Sequence, residues 1–287
     1  MAKKATKAKK AKAAKRVRGV PSQTDVSNRI CNIVPSKETE NDWRYQDALA
    51  SGALGAVVAA PASVDLRAAW WAINDQEDTG SCVGWAVGDG VVRYHMVKAT
   101  PSRLPQNQLL SPRFIWMGSK ETDEFMTRPQ TFIEQAGTSL KAALDIARKY
   151  GAVTMDLLPF HINTKMHTGL ENSFYAAAAQ RKIASYFNLH RDLNQWKSWL
   201  ASNGPILAAL SVDRNWDNAT TTGGNIDVFD PTTVRGGHAI AVVGYTSSGR
   251  FIVRNSWGTG WGDQGFGYVT AAYIASGFFD EAYGITL

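Results

Sequence analysis

RFIVRNSWGTGWGDQGFGYV, residues 250–269, is the stretch whose reading decides how this 287-residue chain folds. It opens and closes in short β-rich runs, and the span between them is punctuated by Gly, Thr and Asp. Just upstream, HAIAVVGY at 238–245 is a further run of the same kind. Paired as a hairpin, the two runs return Asn255 to the neighbourhood of His238. The indole of Trp257 then stands beside the pair, placed to shield a His–Asn hydrogen bond from water. An imidazole whose second nitrogen is held by an amide oxygen keeps one orientation and one tautomer, which is what a general base requires.

Toward the N-terminus the style changes from strand to helix. A helix is predicted from Asp192 to Ser202, stopping at Asn203-Gly204-Pro205, and ILAAL at 206–210 reads as a strand. Another spans Ser139 to Tyr150, with Thr138 or Ser139 as cap and Gly151 beyond its end. From Cys82 to about Lys98, apolar Val83, Ala86, Val87, Val91 and Tyr94 recur at roughly helical spacing. Gly84, Gly88 and Gly90 cost that helix about 1 kcal/mol each if exposed, so a buried central helix with a tightly packed neighbour is favoured over a surface one. GFGYVTAAY at 265–273 reads as a strand. A helix-rich first half and a strand-rich second half define an α+β chain in two lobes with a cleft between them.

Cys82 at a helix start is a candidate nucleophile. A free thiol is mostly protonated at neutral pH, and the unpaired N–H groups of a helix N-terminus together with a nearby imidazolium lower its pKa. Gly236 and Gly237 precede His238 and leave its ring accessible. A tetrahedral intermediate needs donors for its oxyanion; the Cys82 N–H and the side-chain amide of Gln76 are the candidates.

PASVDLR at 61–67, Gln76, Gly80-Ser81-Cys82, GGHAIAVVGY at 236–245 and RNSWGTGWGDQGFGYV at 254–269 stand in one order. In these blocks the chain resembles the papain-like cysteine peptidases from about residue 61 to 287. The resemblance implies that Cys82 attacks, His238 moves the proton, Asn255 orients it, Gln76 completes the oxyanion hole, and Trp257 covers the pair and lines the leaving-group side. It also puts Gly137, in Gly137-Thr138-Ser139, where the family's glycines pair with substrate backbone; Gly237, next to His238, is a further candidate substrate-binding residue. The chain departs from the pattern at Val83, where the family has Trp, and at Thr79, where it has a disulfide-forming Cys. His238 and Asn255 lie 156 and 173 residues beyond Cys82, about one loop more than the family spacing. These departures imply a divergent, disulfide-free type of bacterial or viral kind.

The remainder of the chain calls for separate explanations. Nine of its 31 Lys and Arg lie between Lys3 and Arg18 with no acidic residue among them, and the other 22 are outnumbered by 25 Asp and Glu. A basic tail at 1–20 is thus attached to a mildly acidic body. The tail is expected to be disordered, either plainly solvated or in electrostatic contact with nucleic acid or another polyanion. Residues 21–60 form a leader, read as a short prosegment, ending in the small-residue connector SGALGAVVAAPA at 51–62; residues 61–287 form the catalytic body. Cys31 belongs to the leader and is given no catalytic role. Two cysteines are too few for a disulfide framework, no signal peptide is recognised, and no apolar run approaches a membrane span, so a cytoplasmic or otherwise reducing compartment and a monomer are expected. His95, His161, His167 and His190 show no ligand pairing, so neither metal nor cofactor is expected. The expected function is peptide-bond hydrolysis through an acyl-enzyme; the rivals are a papain-fold scaffold whose tail binds nucleic acid, and a transferase or deconjugating enzyme with the same centre.

Overall fold

The computed structural model describes residues 26–55, 59–122, 137–161 and 170–287. The basic tail, part of the connector and His167 lie outside these. The helices are α1 (Tyr45–Ala50), α2 (Cys82–Val87), α3 (Arg93–Lys98), α4 (Pro112–Thr122), α5 (Leu140–Lys149), α6 (Glu171–Ala179), α7 (Leu193–Ser202), α8 (Arg214–Asp217) and α9 (Ala271–Gly277). The strands are β1 (Val64–Asp65), β2 (Ser185–Asn188), β3 (Ile206–Val212), β4 (Asn225–Ile226), β5 (Gly236–Tyr245), β6 (Phe251–Arg254), β7 (Phe266–Val269) and β8 (Phe278–Thr286). The strands make one sheet in the order β2-β8-β3-β5-β6-β7-β4, with β1 added against β5.

Strand β5 positions the site. It pairs antiparallel with β3, with His238 opposite Leu210, and with β6, with Ala241 opposite Arg254. Its side chains alternate as a strand buried on both faces requires. Ala239, Ala241 and Val243 join the core built with α2, α4 and α5, while Ile240 and Val242 join a second core containing Trp196, Trp199, Trp216, Trp257 and Trp261. The sheet therefore separates two apolar clusters, one for each lobe.

The helix that starts at Cys82 does run to Lys98, but not as one regular helix. A π-helical turn, Gly88–Val92, joins α2 to α3. The glycines of α2 and of this turn serve close packing: a Cβ on Gly84 would stand 2.3 Å from the carbonyl oxygen of Pro112 in α4, and one on Gly90 would stand 3.1 Å from the Ala241 Cβ in β5. Helix α5 begins one residue after its cap, with Ser139 Oγ accepting from Ala142 N at 3.2 Å. Asp192 caps α7 through Asn194 N and Gln195 N.

One expected strand is corrected. TAAY does not extend β7; Thr270 Oγ1 accepts from Tyr273 N at 3.1 Å and starts α9. A threonine cap followed by two alanines favours a helix over a continued ladder.

The leader is packed onto the body. Val26, Tyr45 and Ala48 belong to the second core and Ile33 to the first. Trp43 O accepts from Asn188 N at 2.8 Å, and Tyr45 Oη is 3.1 Å from Ser198 Oγ in α7.

Candidate active site

Cys82 is the first residue of α2 and has no solvent exposure. Ser81 in the cap position makes no capping bond; its hydroxyl pairs instead with Thr79 Oγ1 at 2.6 Å. The first-turn N–H groups therefore remain available, and those of Cys82 and Val83, with that of Ala239 on β5, face the Cys82 sulfur and favour its thiolate. Burial opposes them and wins, pushing the thiol up to about 11.

His238 is fully buried on β5, and the β5–β6 hairpin returns Asn255 to it. His238 Nε2 lies 2.8 Å from Asn255 Oδ1, and the same oxygen accepts from Ser256 N at 2.7 Å, which settles the orientation of the amide. An oxygen only accepts, so Nε2 carries the proton and Nδ1 is the basic nitrogen. Nδ1 has no hydrogen-bond partner among the described residues. The Trp257 ring covers the histidine, with centroids 4.8 Å apart. Burial pushes the imidazole down to about 3; the bond to Asn255 pulls upward, while the guanidiniums of Arg235 and Arg29 push further down.

Gln76 is fully buried and is laced to the Asn255 segment. Its backbone N donates to Ser256 O at 2.8 Å, and its Oε1 accepts from Ser256 Oγ at 2.8 Å. Its Nε2 donates to Thr79 O at 3.0 Å, and the second hydrogen of that nitrogen remains for another acceptor. Asp75, beside it, forms an isolated antiparallel bridge with Trp257.

The leader lies across this site. Asn32 bridges Gly237 in parallel, Ile33 N donates to Gly237 O at 3.2 Å, and Val34 N donates to Thr138 O at 3.3 Å. Gly137 and Gly237 thus flank the leader from its two sides. Both need to be glycine for that approach: a Cβ would stand 1.8 Å from Asn32 O at Gly137 and 2.5 Å from Ile33 Cγ2 at Gly237. Before this crossing, Arg29 donates two bonds to the Asp75 carboxylate, and Arg235 donates to Arg29 O at 2.6 Å and Val26 O at 2.9 Å. After it, Ser36 N donates to the buried carboxylate of Glu281 at 3.0 Å. Cys31 sits beside Gly236, and burial pushes its thiol up to about 12, with Cys82 adding in the same direction. The sequence reading missed Arg29, Asp75, Arg235 and Glu281 as leader contacts. Its available signal was the apolar patch Ile30-Cys31-Asn32-Ile33-Val34 inside an otherwise polar segment.

Among the described residues no group of three or more His, Cys, Asp and Glu side chains is arranged to hold a metal ion, and no helix is long and apolar enough to cross a membrane. Both cysteines are free thiols.

A thiol at a helix start, an imidazole fixed by an amide, and a glutamine laced to the amide segment make up the constellation of a thiol hydrolase, and the family profile agrees. The profile of the papain family cysteine proteases matches residues 60–283, and the chain belongs to that family. Ananain of Ananas comosus is 33% identical over 133 residues, covering 44% of this chain and 35% of ananain. A cathepsin L-like proteinase of Fasciola hepatica is 24% identical over 219 residues, 72% of this chain and 60% of that protein. The match spans about a third of the length of the first curated relatives. Among solved structures, xylellain, a cysteine protease from Xylella fastidiosa, superposes with a TM-score of 0.72 at 21% identity, covering 90% of this chain and 96% of that one. A digestive procathepsin L2 from Tenebrio molitor larval midgut gives 0.65 at 20% identity, covering 93% and 81%. These likenesses concern the fold.

Proposed function

We propose that the chain is a cysteine peptidase that hydrolyses peptide bonds and is held latent by its own leader. The observation that carries this reading is the bond of His238 Nε2 to Asn255 Oδ1 on the strand whose next residue, Ala239, directs its N–H at the Cys82 sulfur. In the proposed reaction Cys82 Sγ attacks the scissile carbonyl carbon and its proton passes to His238 Nδ1. The Cys82 N–H and the second Nε2 hydrogen of Gln76 stabilise the oxyanion. The imidazolium then protonates the departing amine, leaving an acyl-enzyme. Water, deprotonated by the same nitrogen, releases the acyl group and restores the thiol.

With the leader seated this cycle cannot start. Cys82 is held as the thiol, His238 as the neutral ring, and Asn32–Val34 occupies the backbone positions at Thr138 and Gly237 that an extended peptide would use. Latency and self-removal of the leader are therefore parts of one proposal. Incubated wild type is expected to lose leader mass while Cys82→Ala keeps it; equal masses sink self-processing. An epoxide selective for papain-type thiols is expected to label Cys82 in the processed chain, and no adduct there would favour the scaffold reading.

The cysteine content and absence of disulfides support action in a reducing compartment. The charge of residues 1–20 supports polyanion binding by the tail, tested by DNA affinity that falls steeply with salt and vanishes on deleting those residues.

A further inference from the structure

Three segments that carry the proposed catalytic groups converge on one buried carboxylate. Asp89 lies in the π-helical turn seven residues after Cys82 and is 1% exposed. Its Oδ2 accepts from Arg254 Nη2 at 2.6 Å, and Arg254 is the residue before Asn255. The same oxygen accepts from Asn74 Nδ2 at 3.1 Å, two residues before Gln76. Its Oδ1 accepts from Arg93 Nη1 at 2.8 Å, which ties it into the continuing helix. Even the Asp89 main-chain carbonyl takes part, accepting from Trp71 Nε1 at 2.6 Å. The Trp71 ring lies against the Arg254 guanidinium at 4.9 Å, and Arg254 Nη2 also donates to Ala72 O at 2.7 Å.

We infer that Asp89 is a positioning residue for the proposed peptidase reaction: through Arg254 and Asn74 it fixes the placement of the Cys82 helix, the Asn255 strand end and the Gln76 loop relative to one another. The inference rests on the peptidase reading above. An apolar contact would hold the helix against the sheet as firmly, since buried ion pairs add little stability over a well-packed apolar replacement. Apolar contacts slide, whereas a carboxylate accepting from three donors on three segments has one arrangement. Burial alone would raise the Asp89 carboxyl, but Arg254 and Arg93 overrule it and keep it an anion. The π-helical turn gives up the regular helical ladder at this point, a departure that concentrates where a side chain must be aimed.

The test uses the chain incubated until its leader mass is lost, with two variants, Asp89→Asn and the milder Arg254→Lys, treated alike, and Leu200→Ala in α7, which packs in the second core, as a stability control. Cys82 alkylation by iodoacetamide is followed against pH by peptide mass, which separates Cys82 from Cys31, at a temperature where near-ultraviolet circular dichroism shows each protein folded. Asp89→Asn is expected to lower kcat at least tenfold with KM within about threefold, and to move the pH midpoint of Cys82 alkylation by half a unit or more. Arg254→Lys should give a smaller change of the same kind, and Leu200→Ala neither. Profiles that superpose on wild type, with kcat falling only as the folded fraction falls, would overturn the positioning role. If Asp89→Asn does not fold, Arg254→Lys decides alone by the same criteria. A leader-free wild type that neither hydrolyses peptides nor alkylates at Cys82 sinks the peptidase reading and this inference with it, an outcome distinct from unchanged profiles in an active wild type.

Discussion

Arg29 in the leader and Asp75 beside Gln76 form a two-pronged ion pair, Nη1 to Oδ1 at 2.5 Å and Nη2 to Oδ2 at 2.8 Å. The pair fastens the leader to the loop that carries the proposed oxyanion donor. The Arg29 side chain is 6% exposed and that of Asp75 40%, so water screens one partner and the pair is worth about 1 kcal/mol. Asp75→Asn is expected to populate the leader-open form about fivefold more and to speed loss of leader mass by the same factor. The gain should shrink in wild type at 1 M salt, where the pair is already screened. An unchanged processing rate at low salt would show that Arg235 and the backbone rungs hold the leader without this pair.

Processing should also depend on pH, and the sign follows from two groups. His238 is pushed down to about 3 by burial in the closed form, and an imidazole that regains water on opening titrates nearer 6.5. Between those values the open form binds the extra proton, so the closed form loses ground as pH falls below 6.5, by up to about tenfold per unit. Cys82 acts in the opposite range. Its thiol is pushed up to about 11, so the closed form holds fully below about 9 and weakens as pH rises from there. His95, pushed down to about 4 by burial in α3, makes the whole fold more acid-labile but does not bear on the leader equilibrium. Leader loss measured by mass should therefore be slowest between about pH 6.5 and 9 and quicken at pH 5. A rate that falls steadily from pH 7 to 5 in folded protein contradicts this assignment.

The hairpin that brings Asn255 to His238 and the helix that starts at Cys82 were legible because each is written locally. Period-two apolar runs mark β5 and β6, and apolar spacing with small residues marks the helix. The π-helical turn was not legible, since Gly88 and Gly90 read only as weak helix formers until Pro112 is seen against the first and Ala241 against the second. Nor was the docking of Asn32 against Gly237, or of Asp89 against Arg254, separations of 205 and 165 residues with no periodic signal to announce a partner. Thr270 was misread because GYV and TAAY together alternate like a strand, and only the cap bond to Tyr273 N shows where the strand ends.

Gly137 offers a test of leader docking that leaves every charged group in place. Its missing Cβ makes room for Asn32 O, and a methyl there would stand 1.8 Å from that oxygen. Gly137→Ala is therefore expected to lift the leader from the site. Iodoacetamide should then alkylate Cys82 in the unprocessed chain at least tenfold faster than in wild type at pH 7. Peptide substrates that use the same backbone position should show a raised KM. Equal alkylation rates would mean that the leader can reseat without this rung.

Gln76 and Ser256 separate oxyanion stabilisation from thiol activation. Gln76 Oε1 accepts from Ser256 Oγ at 2.8 Å, a bond that turns the amide so that Nε2 lies on the side of Thr79. Gln76→Ala removes the donor and is expected to lower kcat by about a hundredfold to a thousandfold. Alkylation of Cys82 develops no oxyanion, so its rate should stay within about threefold of wild type. Ser256→Ala keeps the amide but leaves a buried acceptor unpaired, which costs about 1–3 kcal/mol. That cost should appear as a lower melting temperature and a smaller loss of kcat, about tenfold, because the freed amide can rotate. If Gln76→Ala slowed alkylation as much as hydrolysis, Gln76 would be shaping the thiol and not the oxyanion, and the donor beside the Cys82 N–H would have to come from another residue.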